Sequence, residues 1–205
     1  MKPIYARVLW ILPAFAILAT LTGCPWDPDK KVTPPIVVPE YLPQTTPANI
    51  LANLEQAYKT QNFDEYEKLF SKDYIFVFNP ADVGGQDPTP PQWQRADEVD
   101  AARNMFDDET VTSIELSWSP GDPESAADRF DAFPECLKVR VDNIELRVET
   151  RPPDLEEPLI LKVTGASHIF YFKEGRAVDG EAYTYPDTGD KRWYCFMWED
   201  SPIGT

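Results

Sequence analysis

One histidine, three cysteines and three methionines are all that 205 residues provide of the usual metal-ligating and redox side chains. The common zinc arrangements need His and Cys in clusters, so they are excluded, and no acidic spacing matches a calcium-binding loop. Basic residues are also scarce, 19 Lys and Arg against 35 Asp and Glu, for a net charge of −16. A surface of that sign repels phosphate backbones and anionic head groups, which disfavours nucleic-acid binding. The acidic residues are dispersed and read as a solvated surface rather than a binding tail. No apolar run reaches the roughly 20 residues of a comfortable bilayer span. The Gly84-Gly85 pair lies in no phosphate- or dinucleotide-binding pattern. Proline (21) and aromatics (6 Trp, 9 Tyr, 11 Phe) are plentiful, and about one domain's worth of chain can build a sizeable core with them.

The start of the chain reads as an export signal. Lys2 and Arg7 precede an apolar run from Val8 to Leu21, and Leu21-Thr22-Gly23-Cys24 follows. This tetrapeptide resembles the lipobox of bacterial lipoproteins. The resemblance implies cleavage before Cys24 and its acylation, with palmitate-type chains that hold the protein on a membrane of the cell envelope, facing the periplasm or the exterior. Several acyl chains on one residue give durable anchoring, because each buried methylene adds about 0.8 kcal/mol. Loss of residues 1–23 would remove Lys2 and Arg7 and take the net charge to −18. Residues 24–45 carry six prolines and no helical period. They read as a semi-extended tether, with Ile36-Val37-Val38 and Tyr41-Leu42 as segments able to dock on the domain.

From Thr46 the pattern changes. Thr46 and Pro47 are an N-cap and first-turn pair, and Ile50, Leu51, Leu54, Ala57 and Tyr58 make one apolar face, with Asn53 expected in water. Asn62 caps a second helix carrying Phe63, Tyr66, Leu69 and Phe70. Tyr74 to Phe78 reads as a strand, and Trp93 to Phe106 as a third helix with Asp97 and Glu98 at its positive end. Strands are expected over 111–118, from 137 to 148, over 159–172 and over 192–198. The apolar phase slips at Asp142-Asn143, which predicts a bulge, and Gly165 is expected at a bend. The last strand lacks polar alternation, so both of its faces should be covered.

A helix ending Ala57-Tyr58, a turn before Phe63-Asp64, then Leu69-Phe70 and Asp73 ahead of a strand resembles the opening of the nuclear transport factor 2-like superfamily, which includes the SnoaL-like proteins. The resemblance spans residues 46–200 and leaves 201–205 as a tail. It implies an α+β, cystatin-like cone: three N-terminal helices packed on a strongly curved antiparallel sheet around a pocket. In the isomerase branch an Asp base and an oxyanion-binding Tyr work in that pocket. On this chain the two positions fall on Phe78 and Leu54, which carry no suitable proton or donor. The expectation is therefore a cone that binds a small apolar ligand or a protein partner without catalysis, needing no metal or cofactor. The aromatic last strand points to a sheet face for a partner or a homodimer. The alternative is a SnoaL-like isomerase, dehydratase or hydrolase using His168, which shares strand parity with Phe170 and Phe172. Leu54, Tyr58, Tyr74, Phe78, His168 and Phe170 are the pocket candidates, with Tyr171 beside them. Cys136 and Cys195 lie in strands of an exported protein and are either a cross-sheet disulfide or two buried thiols.

Overall fold

A computed structural model describes residues 40–81, 83, 90–155 and 157–200. The expected leader, the expected acylation site at Cys24, most of the expected tether and the expected 201–205 tail lie outside the described residues. The Thr46 hydroxyl accepts from Asn49 N at 3.2 Å and opens α1 (Pro47–Thr60). Gln61 ends it in the left-handed region (φ 49°), sending its N–H back to Ala57 and Tyr58. Asn62 caps α2 (Phe63–Glu67) at 3.2 Å from Glu65 N. β1 (Phe70–Val77) follows, then β2 (Gln92–Gln94), α3 (Arg95–Phe106), β3 (Val111–Pro120), the two-residue β4 (Glu124–Ser125), β5 (Leu137–Thr150), β6 (Leu159–Glu174) and β7 (Trp193–Asp200).

The strands form one sheet in the order β2-β1-β7-β6-β5-β3, with β4 beside β5. This is the α+β cone the sequence led us to expect, with one difference: β1 and β7 pair in parallel. β7 closes the sheet between β1 and β6. It runs antiparallel to β6, and that direction coincides with β1. The bulge sits where the phase slip placed it. Asn143 has φ 55°, and the β3–β5 register shifts between Ser117 and Ser119, whereas the β5–β6 register passes through unbroken. β5 thus bends the sheet around the helices.

The core lies between helices and sheet. Ile50, Leu51, Leu54 and Ala57 of α1 meet Leu69, Phe70, Tyr74, Ile114, Val139, Val141, Phe170 and Phe172, all nearly fully buried. A second cluster lies on the outer face of β7. A bulge there pairs Tyr171 with Met197 and Phe172 with Cys195, so Phe196 and Met197 both turn outward. Phe130 and Phe133, from the connection before β5, pack over them. Both faces of β7 are covered, and the aromatics that pointed to a partner surface pack within the chain. Cys136 and Cys195 belong to different clusters and are two buried free thiols.

Three expectations are corrected. β1 starts at Phe70 rather than Tyr74. Trp93 stands in β2 opposite Phe76, ahead of α3 rather than within it. Asn53 is buried, because its amide bonds both the N–H (2.8 Å) and the carbonyl (2.7 Å) of Leu42. Gln44 is buried too: it donates to the Lys68 carbonyl and accepts from Trp193 N and from Arg192 Nε. The last residues of the expected tether are therefore stitched onto the domain. No helix among the described residues is long and apolar enough to cross a membrane.

Candidate functional site

The cone holds a cavity of about 650 Å³. It is not plugged. Its walls are chiefly aromatic and aliphatic: Tyr58 from α1, Phe76 and Phe78 from β1, Trp93 from β2 and Trp198 from β7. Phe78 stacks edge-on against Trp93 (5.1 Å) and Phe76 (4.7 Å). Leu146 and Val163 carry the apolar wall toward the ends of β5 and β6. Thr164 and three titratable side chains, Glu98, His168 and Asp200, interrupt it.

Glu98 is in the first turn of α3, one helical turn before Ala102 and two before Phe106, so it faces inward with them. The Tyr66 hydroxyl donates to its Oε1 at 2.5 Å, and Tyr58 lies 3.4 Å from Tyr66, oxygen to oxygen. Burial pushes the Glu98 carboxyl up, and the Tyr66 bond pulls only partly back. The same burial raises Tyr58 and Tyr66. Reading Glu98 only as a helix-end charge missed it. Its spacing to Ala102 and Phe106 was the signal that would have found it.

His168 points into the cavity from β6, as its parity with Phe170 required. The Trp198 indole donates to its Nδ1 at 2.8 Å. An indole N–H can only donate, so Nδ1 must carry the lone pair and a neutral ring must carry its proton on Nε2. The imidazole therefore presents a donor to the cavity and has no free lone pair there. Asp200 Oδ1 stands 3.6 Å from Nε2, beyond a direct hydrogen bond. Burial lowers the His168 pKa and Asp200 works against it. A histidine depressed below 6.5 contributes stability above that value and loses it as pH falls from 6.5 through the lowered value. Beside it, a Cβ on Gly165 would sit 2.4 Å from Nε2. We expect Gly165→Ala to turn the ring off Trp198 at a cost of about 1–3 kcal/mol. With a single histidine in the chain, one imidazole NMR signal reports both its shift and its changed titration.

Of the other pocket candidates, Tyr58 and Phe78 line the cavity. Leu54, Tyr74 and Phe170 are buried in the core behind it, and the Tyr74 hydroxyl has no hydrogen-bond partner among the described residues. Tyr171 faces the other side of the sheet, bonded to Arg129 and Glu199. A second cleft, of about 360 Å³, lies between α2 and the segment before β7. Two of its four cations are paired with carboxylates, Lys68 with Glu65 and Arg95 with Glu67, and Arg192 bonds Gln44. Among the described residues no three His, Cys, Asp or Glu side chains are grouped to hold a metal.

No protein-family model and no curated protein matches this sequence. Solved structures match in shape. A conserved protein from Planctomyces limnophilus gives a TM-score of 0.50 at 11% identity, over 74% of this chain and 89% of that one. A nuclear transport factor 2-like protein from Cytophaga hutchinsonii gives 0.41 at 15% identity, over 76% and 94%. ActVI-ORFA from Streptomyces coelicolor gives 0.43 at 12%, over 74% and 90%. At such identities the likeness is one of fold alone, a cone of helices on a strongly curved sheet.

Proposed function

We propose that this cone binds a small, largely apolar ligand through a hydrogen-bond acceptor on the ligand, and does not turn it over. The observation that carries this reading is the Trp198 bond to His168 Nδ1. It fixes Nε2–H as a donor and withholds the lone pair that a histidine base would use. Glu98 complements it. Oε1 is taken by Tyr66, and in its protonated form, which burial favours, Glu98 donates to the cavity from Oε2. Two donors in an apolar chamber suit a carbonyl or ether oxygen, and Asp200 beside them disfavours an anionic ligand. Extraction of the purified protein with organic solvent, followed by mass spectrometry, tests the reading. Recovery of a neutral, oxygen-bearing apolar compound that rebinds unchanged supports it. Recovery of only charged, water-soluble compounds overturns it.

One observation favours a second reading. A carboxyl held up by burial in an apolar site suits a general acid. Glu98 in that role, with His168 holding the substrate, would make the cone a SnoaL-like isomerase, dehydratase or hydrolase. Conversion of the extracted compound during incubation with the protein distinguishes the two.

For the rest of the chain we propose a lipoprotein of the bacterial envelope: a leader over 1–23, acylation at Cys24, and a Pro-rich tether carrying the domain on the periplasmic or exterior side. The lipobox-like tetrapeptide and its flanks support it. In the full-length protein, Cys24→Ser is expected to move the chain from the membrane to the soluble fraction and to abolish the acyl mass increment. An unchanged distribution and mass would end the proposal.

A further inference from the structure

His168 of β6 stands directly across from Asp200 of β7. Trp198, two residues back on β7, sends its indole N–H to His168 Nδ1 at 2.8 Å. The indole packs on Phe170 (4.4 Å) and Phe76 (5.3 Å), neither of which offers an acceptor. Among the described residues its N–H therefore depends on His168 alone. On the other side of the imidazole, Asp200 Oδ1 lies 3.6 Å from Nε2, a small swing short of a hydrogen bond. Gly165 leaves that swing unobstructed, whereas a Cβ there would sit 2.4 Å from Nε2. The ring thus lies between two partners. Trp198 requires a bare Nδ1, and Asp200 favours a charged ring.

We propose that His168 is an acid-operated latch on the cavity: a proton on Nδ1 breaks the Trp198 bond, turns Nε2–H to Asp200 and releases the ligand. This rests on the reading given above, in which Nε2–H holds the ligand's acceptor. In an imidazolium both nitrogens donate, so Nδ1–H and the indole N–H cannot stay aimed at each other across 2.8 Å. The ring moves toward the carboxylate and withdraws its donor from the ligand. The indole N–H is left unmatched in an apolar wall, which is costly, and turns from the wall toward solvent. The other charges nearby leave the choice to Asp200. Glu98 on α3 and Tyr58 on α1 line the same cavity, and β1 and β2 bring only Phe76, Phe78 and Trp93 to it. On β5 the ring stands opposite Val141, and the adjoining Asp142 is paired with Arg140. Glu199 of β7 is paired with Arg129. Burial lowers the His168 pKa, so the latch is shut at neutral pH and opens only in acid. Glu98 must keep its proton for the same ligand, so tight binding is confined to a band of pH. His168 sets the acid edge of that band and Glu98 the alkaline edge.

Acid titration of the full chain, without and with prodan (a neutral naphthyl ketone), tests both steps. By NMR the single imidazole and the Trp198 indole N–H, assigned with Trp198→Phe, should titrate together in the absence of prodan. Prodan affinity should fall about tenfold per pH unit below their shared midpoint. In His168→Asn an amide oxygen stands in for Nδ1 and takes no proton, so binding should level off in acid and the indole signal should hold still. Trp198→Phe loses the bond that favours the neutral ring, and its imidazole should titrate about one pH unit higher. Asp200→Asn loses the charge that favours the imidazolium, and its imidazole should titrate lower. The latch is overturned by an indole signal that ignores the imidazole's titration, or by midpoints that do not move in those directions. It is also overturned if prodan binds at neutral pH and keeps its affinity through the midpoint, or if circular dichroism shows the domain unfolding in step with the imidazole. Two signals that titrate together while prodan binds at no pH overturn the reading of the cavity, and the release with it.

Discussion

Lys173→Met is expected to destabilise the domain by about 3–5 kcal/mol, toward the lower end because one of its partners is half exposed. Lys173 is fully buried on β6, and its Nζ lies 2.8 Å from Asp73 Oδ1 on β1. Asp179 and Glu181 close the ring at 3.6 and 3.8 Å, and the face of Phe133 lies 4.7 Å away. One ammonium thus serves three carboxylates, and Glu181 is almost without solvent. Removing it leaves those charges facing one another, with Glu181 unable to reach water. Methionine keeps most of the volume, so the loss reports charge rather than packing. Denaturant titration measures it. The pH dependence has a defined sign. Burial works to raise the Asp73 carboxyl, but the Lys173 and Ser71 bonds outweigh it and hold Asp73 below its ordinary value of 3.8. Its contribution is complete above 3.8 and is lost as pH falls through the lowered value. The variant lacks that contribution, so the two proteins should converge in strong acid. A gap that persists there would mean that the side chain's packing matters more than its charge.

Glu98→Leu should weaken ligand capture by a factor on the order of 10–100, because it leaves the ligand's buried acceptor short of one donor. Glu98→Gln should retain it, because an amide accepts from Tyr66 through Oε1 and donates to the cavity through its nitrogen. The two variants also separate in their pH profiles. An acid whose folded pKa is raised costs stability once it ionises, so wild-type stability should fall as pH climbs above 4.5, the ordinary glutamate value. Ligand binding should weaken at the upper end of that fall, as pH passes the raised folded value and the donor proton is lost. Glu98→Gln should flatten both curves and stabilise the protein at neutral and alkaline pH. Titration of binding and of unfolding, on wild type and both variants, checks this. If Glu98→Gln binds more weakly as pH rises, just as wild type does, Glu98 is not the titrating donor.

The chain's local chemistry made most of the fold legible. Caps at Thr46 and Asn62, the one-sided apolar spacing of α1, and the phase slip at Asp142-Asn143 each correspond to an observed feature. These are properties of neighbouring residues, and neighbours are what a sequence displays. The site was legible only in part. Parity alone turned His168 inward, but its chemistry depends on Trp198, thirty positions away, which fixes its tautomer. Glu98 carried two contradictory signals, a helix-end charge and an inward spacing, and burial decided between them. Lys173 falls just past the strand expected over 159–172, with no local sign of burial. Only the sheet order, which sets β7 between β1 and β6, brings Asp73 across to it. The parallel pairing of β1 and β7 likewise depends on which strand closes the sheet, and no local pattern encodes that.

The stitching of residues 42–44 has a mechanical consequence. Leu42 is clasped by Asn53 of α1, while Gln44 is held by Lys68, Arg192 and Trp193 at the junction of α2 with β7. A pull arriving along the chain at residue 40 would be shared among several hydrogen bonds on separate elements instead of peeling the first helix from its end. The domain would keep its cavity intact under tension that would unravel an unclasped N-terminus.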